Sequence, residues 1–298
     1  MKRILIHTSR KIFRKRLIKC SRYLNKYIGN FEYKIINNNG YKKINYQDYN
    51  LILTLGIDNV DIYNHLFKPF MDMNRNIVIF GSSIFLKDKQ HRSYCVFVNG
   101  THFTKFGLKR YDVTYDTNRI SKFFKDEYSI KPWNNAGSKI LILHYNTPTW
   151  DGLLKDKFYS KVYETCINSG RDIIFRTQPG QNYNINYLDK LKKLGFEIHK
   201  WSNVSPNNIQ QSLNDCYCSV SYGGKSPSKS IIYGVPSITS GPNMAELVSE
   251  CNINNILSPN KPDREQWFKW LSYCHWSEDE LEDGSMWKYY FDNNCIKV

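Results

Sequence analysis

Acidic residues are scarce in this 298-residue chain: 27 Asp and Glu face 42 Lys and Arg, a formal net charge of +15. A surplus of that sign points to a polyanionic partner. The high content of Asn, Ile, Lys and Tyr also fits an AT-rich coding sequence, which would raise lysine without function. Long apolar runs are missing. No stretch approaches the ~18 consecutive apolar residues of a membrane-spanning helix, and the apolar part of MKRILIHTSRK is too short for a signal peptide. The expectation is a cytoplasmic chain without integral membrane association. Metal-ligand spacing is missing too. Of eight cysteines, Cys216 and Cys218 form C-x-C with no second pair and no H-x-x-x-H to complete a site. Reduced thiols, several of them buried, are expected, with no disulfide and no zinc. Neither Gly-rich phosphate fingerprint is present. G-x-G-x-x-G does not occur, and the first glycine of a Walker A loop ending at Gly224-Lys225 would fall on Ser219.

Aromatics are plentiful, with 22 Tyr, 16 Phe and 7 Trp, enough for a substantial core. Short apolar runs alternate with helical patterns. RILIHT, FEYKII, NLILTLG, NIVIFGSS and YCVFVNG read as strands of a first half. A helix after the first strand carries Phe13, Leu17, Cys20, Leu24, Tyr27 and Ile28 at spacings of three and four. Its other face is basic: residues 10–26 hold eight Lys and Arg and no acid. IKPWNNAGSK (130–139) breaks the pattern, and the rhythm then restarts. KILILHY, DIIFRTQ, FEIHKW, YCSVSY and VPSITS are strands. KFYSKVYETCINSG, NYLDKLKKLG, NNIQQSLNDC and SPSKSIIYG are helices. The tail reads as two more helices, DREQWFKWLSYCHW and SEDELEDGSMWKYY.

Strands alternating with helices predict an α/β protein with parallel sheets. The two series predict two Rossmann-like doubly wound domains facing a cleft. The boundaries expected are 1–132 for acceptor binding, 133–263 for donor binding, and 264–298 for C-terminal helices packing back across the domains.

The stretch SVSYGGKSPSKSIIYGVPSI (219–238) is the richest in site chemistry. Gly223 and Gly224 lie where a strand ends and a helix begins, the place where open parallel sheets bind ligands. Small residues let a backbone approach a ligand. Tyr222, Ser226 and Ser228 add hydroxyls, and Lys225 and Lys229 add charge. The set suits a phosphate or diphosphate; a plain strand-to-helix turn explains the same composition equally well. Polar residues at other strand ends of this half add weight. Arg176 and Gln178 follow one strand; His144, Asn146 and Trp150 follow another. Arg176 would clamp a phosphate through two parallel N–H groups, and Trp150 would stack on a nucleobase.

The two-domain layout and the S…S…Y-G-V-P-S-I turn-helix resemble GT-B glycosyltransferases. IKPWNNAGSKILIL, IIFRTQPG and PDREQWFKWLSYCHWSEDELEDGSMW look like a set of phage-encoded members of that class that modify DNA. The tail residues Arg264, Trp267, Tyr273, Trp276 and Trp287 match best. The resemblance covers roughly residues 90–290. Two positions depart from it. Lys229 stands where many GT-B enzymes hold the nucleotide ribose with Glu, and lysine cannot accept such hydrogen bonds. Gln178 stands at the histidine position of an Arg-x-His-Pro strand end.

The resemblance implies transfer of a sugar from a nucleotide-sugar donor, a UDP-sugar first, with no metal strictly required. The acceptor it implies is 5-hydroxymethylcytosine or 5-hydroxymethyluracil in double-stranded phage DNA, in the cytoplasm of an infected host. The alternatives are a polysaccharide or lipid-linked acceptor, or a non-catalytic DNA-binding protein on the same scaffold. The donor set above, with Arg119, would serve the leaving group. Asp116, Asp112 or His102 would be the general base, Asp116 being favoured because it neighbours Arg119 in a turn-rich stretch. Arg10, Lys11, Arg14, Lys15 and Arg22 of the basic helix would contact DNA phosphates.

Overall fold

The computed structural model describes residues 1–8, 11–37, 40–55, 64–65, 68–73, 75–82, 93–98, 119, 129–144, 152–177, 183–199, 208–241 and 243–296. The chain divides into two compact units. One comprises Met1–Tyr115 with Ser272–Val298, and the other Asp116–Leu271. The α/β class with two Rossmann-like doubly wound units, read from the sequence, is the class observed.

The first unit is built on six strands: β1 (Lys2–His7), β2 (Phe31–Ile36), β3 (Leu51–Leu55), β4 (Asn76–Ser82), β5 (Ser93–Val98) and β11 (His275–Ser277). Their spatial order is β11-β5-β4-β3-β1-β2. The four strands β2, β1, β3 and β4 are parallel. The expectation of parallel sheets fails at the edge, where β5 runs antiparallel to β4 and β11 antiparallel to β5. Only ten residues separate Ser82 from Ser93, fewer than the dozen or so that a parallel crossover requires.

Alternate residues of the sheet, Ile4 and Ile6, Leu51 and Leu53, Val78 and Phe80, share one core with helix α1 (Lys11–Ser21). Leu17, Cys20, Leu24 and Ile28 are its buried stripe, at the spacing read from the sequence. The chain tightens into a 3-10 turn at Arg22–Leu24, where the sequence suggests one continuous helix. The tail closes this core. It holds β11 and two short helices, Glu278–Glu282 and Ser285–Asp292, where one helix is expected. Gly284, at φ 84°, breaks the helix between them. A capping box formed by Ser277 and Glu280 starts the first of the two. Trp287 donates from Nε1 to Cys20 O at 2.8 Å, and Trp276 to Tyr290 Oη at 3.0 Å.

The second unit has five strands: β6 (Lys139–Leu143), β7 (Ile173–Arg176), β8 (Phe196–His199), β9 (Cys216–Ser221) and β10 (Ser237–Thr239). All neighbours are parallel, in the order β10-β9-β6-β7-β8. The first strand of the unit therefore sits in the middle, and the strand order reverses between β6 and β9. That is the topological switch point of a Rossmann sheet. Helices α2 (Gly152–Ile167), α3 (Ile185–Lys193), α4 (Asn208–Leu213) and α5 (Ser226–Ile232) follow β6, β7, β8 and β9 in turn. Left-handed glycines Gly170, Gly195 and Gly234 stand after α2, α3 and α5.

The C-x-C pair is structural. A register shift between β6 and β9 sends Cys216 into the core on one face of the sheet and Cys218 into the core on the other. The IKPWNNAG segment is a strap. Lys131 N donates to Ile232 O and Asn134 N to Gly234 O, at 2.9 and 2.7 Å. Arg264 stacks 3.7 Å over the Trp133 ring and donates to Ile231 O and Lys131 O, tying strap and α5 together. A Cβ on Gly234 would lie 2.1 Å from Pro132 O, and its φ is +80°. Gly234→Ala is therefore expected to cost at least about 2 kcal/mol from backbone strain and displacement of the strap. Urea unfolding of the variant measures this, and an unchanged midpoint would show that the strap carries no stability.

Candidate functional site: a cationic cluster at a strand switch point

Four strand ends meet the switch point of the second unit. Behind β9 the chain runs through Tyr222, Gly223 and Gly224 into Lys225. Gly224 adopts φ 87° and forms a bridge to Asn243. The turn is held from outside: Tyr222 N donates to Tyr159 Oη at 3.1 Å, and Gly241 N donates to Tyr222 O. Pro227 opens α5, the next two side chains being Ser228 and Lys229. Ser228 is fully buried, and its Oγ has no hydrogen-bond partner among the described residues. A buried hydroxyl without a partner is costly, which marks it as a group awaiting a ligand or a water.

The charges gathered here share one sign. Arg176, the last residue of β7, is 3% exposed. Burial lowers its pKa to about 10. Lys229 falls from 10.5 to about 8, chiefly through burial and then through repulsion by Arg176 and Lys225. Lys229 therefore feels both other cations, and among the described residues no carboxylate is among the causes that set it. A protein does not gather like charges, one buried and two half-buried, for stability. Such a set is suited to an anion carrying more than one negative charge.

Arg176 is held in place. Its Nη1 donates to Ser212 Oγ of α4 at 2.7 Å. His144, just after β6, lies among rings: Tyr159 at 4.4 Å, Phe175 at 5.4 Å, Tyr183 at 5.8 Å and Tyr187 at 6.2 Å between centroids. Tyr183 Oη donates to His144 O at 3.2 Å. His144 is thus linked to the Tyr222 turn through Tyr159.

Of the residues singled out by sequence, Arg176, Lys225 and Lys229 come together, with Tyr222, Gly223, Gly224, Ser226 and Ser228 on the same turn and helix. Arg119 is a buried residue of the same unit. Gln178, Asn146, Trp150, Asp112, Asp116, His102 and Arg10 lie outside the described residues, as does the Lys11 side chain. Arg14, Lys15 and Arg22 are exposed on the first unit. Their neighbour Arg16 is engaged instead with Glu278, at 3.0 Å, and Tyr94.

Several residues escaped the sequence reading. Ser212, His199 and Glu197 form a hydrogen-bonded chain behind Arg176. The one available signal was a polar alternation in FEIH that an apolar parallel strand does not need. In the first unit, where strand order reverses between β1 and β3, His7 is 3% exposed and its Nδ1 lies 2.9 Å from Thr54 Oγ1. The tail residues behave differently from site residues. Trp267 Nε1 donates to Met244 O at 2.8 Å, and Tyr273 stacks on Tyr289 at 4.5 Å. With Arg264, Trp276 and Trp287 they are packing residues, so the tail motif reports fold rather than substrate.

Fold and site together define an α/β protein of two doubly wound units with an anion-suited switch point. No family model matches the sequence, and no curated protein matches it. Solved structures similar to it include a β-Kdo 2,7 transferase, KpsC, of Thermosulfurimonas dismutans. It is 10% identical over 90% of this chain and 89% of that one, with a TM-score of 0.49. A glycosyltransferase from Rickettsia africae ESF-5 is 12% identical over 97% and 98% of the two chains, TM-score 0.39. A Methanocaldococcus jannaschii UDP-GlcNAc 2-epimerase in complex with UDP-GlcNAc and UDP is 12% identical over 91% and 98%, TM-score 0.34. Likeness at this level carries nothing about chemistry.

Proposed function

We propose that this chain is a glycosyltransferase that takes its sugar from a nucleotide-sugar donor, a UDP-sugar in the first instance. The observation that carries this reading is the cluster of Arg176, Lys225 and Lys229 together with a buried, unsatisfied Ser228 hydroxyl on the same helix as Lys229. A diphosphate carries charge of the opposite sign to these cations, and its oxygens can accept from Ser228. As the bond to the sugar breaks, negative charge grows on the diphosphate. Positive groups already in place stabilise that charge without reorganisation. Three cations perform this task in our reading, so a divalent metal is not required. Among the described residues no group of three or more His, Cys, Asp and Glu is placed to hold one. For the general base we retain Asp116 first, then Asp112 and His102.

The acceptor we favour is a hydroxymethylated cytosine or uracil in double-stranded DNA. Residues 1–115 carry 21 Lys and Arg against 7 Asp and Glu, so nearly all the net charge lies there. Arg14, Lys15 and Arg22 stand exposed along and just beyond α1, while Leu17, Cys20 and Leu24 are spent on the core. A helix whose apolar face is occupied cannot insert it into a bilayer. What it offers outward is charge, suited to a phosphate backbone. An anionic polysaccharide or lipid-linked acceptor is the second reading, and it would use the same charge.

The test is transfer itself. Purified protein is incubated with nucleotide sugars and DNA containing 5-hydroxymethylcytosine, 5-hydroxymethyluracil or unmodified bases, and the nucleosides are weighed. A hexose- or pentose-sized gain on a hydroxymethylated nucleoside is expected. Gain only on glycan or lipid-linked acceptors would overturn the DNA assignment. Changing Arg14, Lys15 and Arg22 together to Gln is expected to lower the slope of log affinity for DNA against log salt by about 3. An unchanged slope would remove this face from the DNA interface.

A further inference from the structure

Behind Arg176 lies a chain of hydrogen bonds that no ligand contact requires. Arg176 Nη1 donates to Ser212 Oγ at 2.7 Å. Ser212 Oγ lies 3.0 Å from His199 Nδ1, and His199 Nε2 lies 2.8 Å from Glu197 Oε1. The other Glu197 oxygen, Oε2, takes Lys139 Nζ at 3.2 Å. The chain thus spans three strands and a helix of one unit. Glu197 and His199 lie two apart on β8 and so on one face of it; His199 pairs in register with Arg176 on β7.

The donor and acceptor roles follow from chemistry. A guanidinium only donates, and a carboxylate only accepts. Hydrogen bonds from His199, then from Lys139, hold the Glu197 pKa below its usual value, so the carboxylate is ionised at neutral pH. His199 therefore carries its proton on Nε2. In the neutral ring Nδ1 is then an acceptor for the Ser212 hydroxyl, whose oxygen accepts from Arg176. Each link fixes the next.

We infer that Glu197, His199 and Ser212 are a positioning relay for Arg176, fixing its guanidinium for an incoming diphosphate. This rests on the reading of Arg176 as an anion-binding group. The arrangement solves a specific problem. A carboxylate touching the guanidinium would orient it but would also compete with an anionic ligand. Here the carboxylate that ends the relay stands two side chains away, so it orients the guanidinium without itself touching it. Ser212 is buried at 1% exposure, which holds the link rigid and away from water.

The experiment uses the full chain, labelled with 15N-arginine, as wild type and as Ser212→Ala, His199→Phe, Glu197→Gln and Arg176→Met. The Arg176→Met spectrum assigns the Arg176 guanidinium lines. In wild type these are expected as resolved, slowly exchanging Nη signals, because rotation about the terminal bond is blocked. In Ser212→Ala and His199→Phe they should collapse to an averaged line while backbone amide spectra stay native. Glu197→Gln, at a half-exposed position that folding tolerates, should broaden them. UDP titration should show about a tenfold loss of affinity in Ser212→Ala and His199→Phe. That loss should vanish in the Arg176→Met background, since these residues act through Arg176. Resolved Arg176 lines in both Ser212→Ala and His199→Phe would overturn the relay. So would an affinity loss that persists undiminished without Arg176. If wild type binds no UDP while the lines still collapse, the anion reading falls and the relay stands.

Discussion

Replacing Lys229 by Met is expected to make the protein more stable and worse at its task. Burial and the neighbouring Arg176 and Lys225 lower the Lys229 pKa from 10.5 to about 8. Below pH 8 the side chain is charged in both folded and unfolded chains, and the fold bears the cost of that charge. The drop corresponds to roughly 3 kcal/mol. Between pH 8 and 10.5 the unfolded chain holds more protons on this group than the folded one, so the cost fades as pH rises. Lys229→Met should therefore gain about 2–3 kcal/mol over wild type at pH 7, and the gain should shrink towards pH 10. Urea denaturation at several pH values measures it.

The same substitution should weaken nucleotide diphosphate binding by roughly 10- to 100-fold, the worth of a charge-assisted hydrogen bond. In wild type, a bound anion raises the Lys229 pKa again. Binding above pH 8 then takes up a proton, and affinity should fall by up to about tenfold per pH unit. Calorimetry in buffers of different ionisation enthalpy reads that proton directly. A variant that is less stable, with unaltered binding, would mean Lys229 is an ordinary packing residue.

The second large effect belongs to the tail. Trp287→Ala is expected to cost about 3–5 kcal/mol, the usual range for deleting a fully buried tryptophan. Trp287 is completely buried in the core that α1 and the sheet of the first unit share, and its indole N–H bonds Cys20 O. Truncation leaves a cavity and removes that hydrogen bond together. Because the chain has two units, the loss should appear in one unfolding transition and not the other. Near-UV and fluorescence signals from the remaining tryptophans separate them: Trp276 reports the first unit, and Trp133 and Trp267 the second. A change below about 1 kcal/mol would show that the tail decorates the first unit rather than completing its core.

Strand positions were the most legible part of the molecule. ILIL, IIF and LILT are apolar on both faces because helices cover both sides of a parallel sheet. The glycines after α2, α3 and α5 could be read for the same local reason. The antiparallel β5 was hidden because the direction of a strand depends on the length of its connection, not on its own residues. Strand β11 was hidden because His275-Trp276-Ser277 gains strand form only by pairing with Ser93–Cys95, some 180 residues earlier in the chain. At the site, the turn 222–229 was visible because one local stretch holds the glycines, serines and lysines. The relay was not. Arg176, His199 and Ser212 belong to three elements, and only the β7–β8 register and the packing of α4 bring them within hydrogen-bond reach.

The central claim is that the switch point of the second unit holds a nucleoside diphosphate. Isothermal titration of the full protein with UDP, ADP, GDP and CMP tests it most directly, with Arg176→Met and Lys229→Met alongside. The account predicts one-to-one binding of at least one nucleoside diphosphate, tighter than CMP, and lost in Arg176→Met. Binding of none of them by wild type, or equal binding by wild type and Arg176→Met, would contradict it.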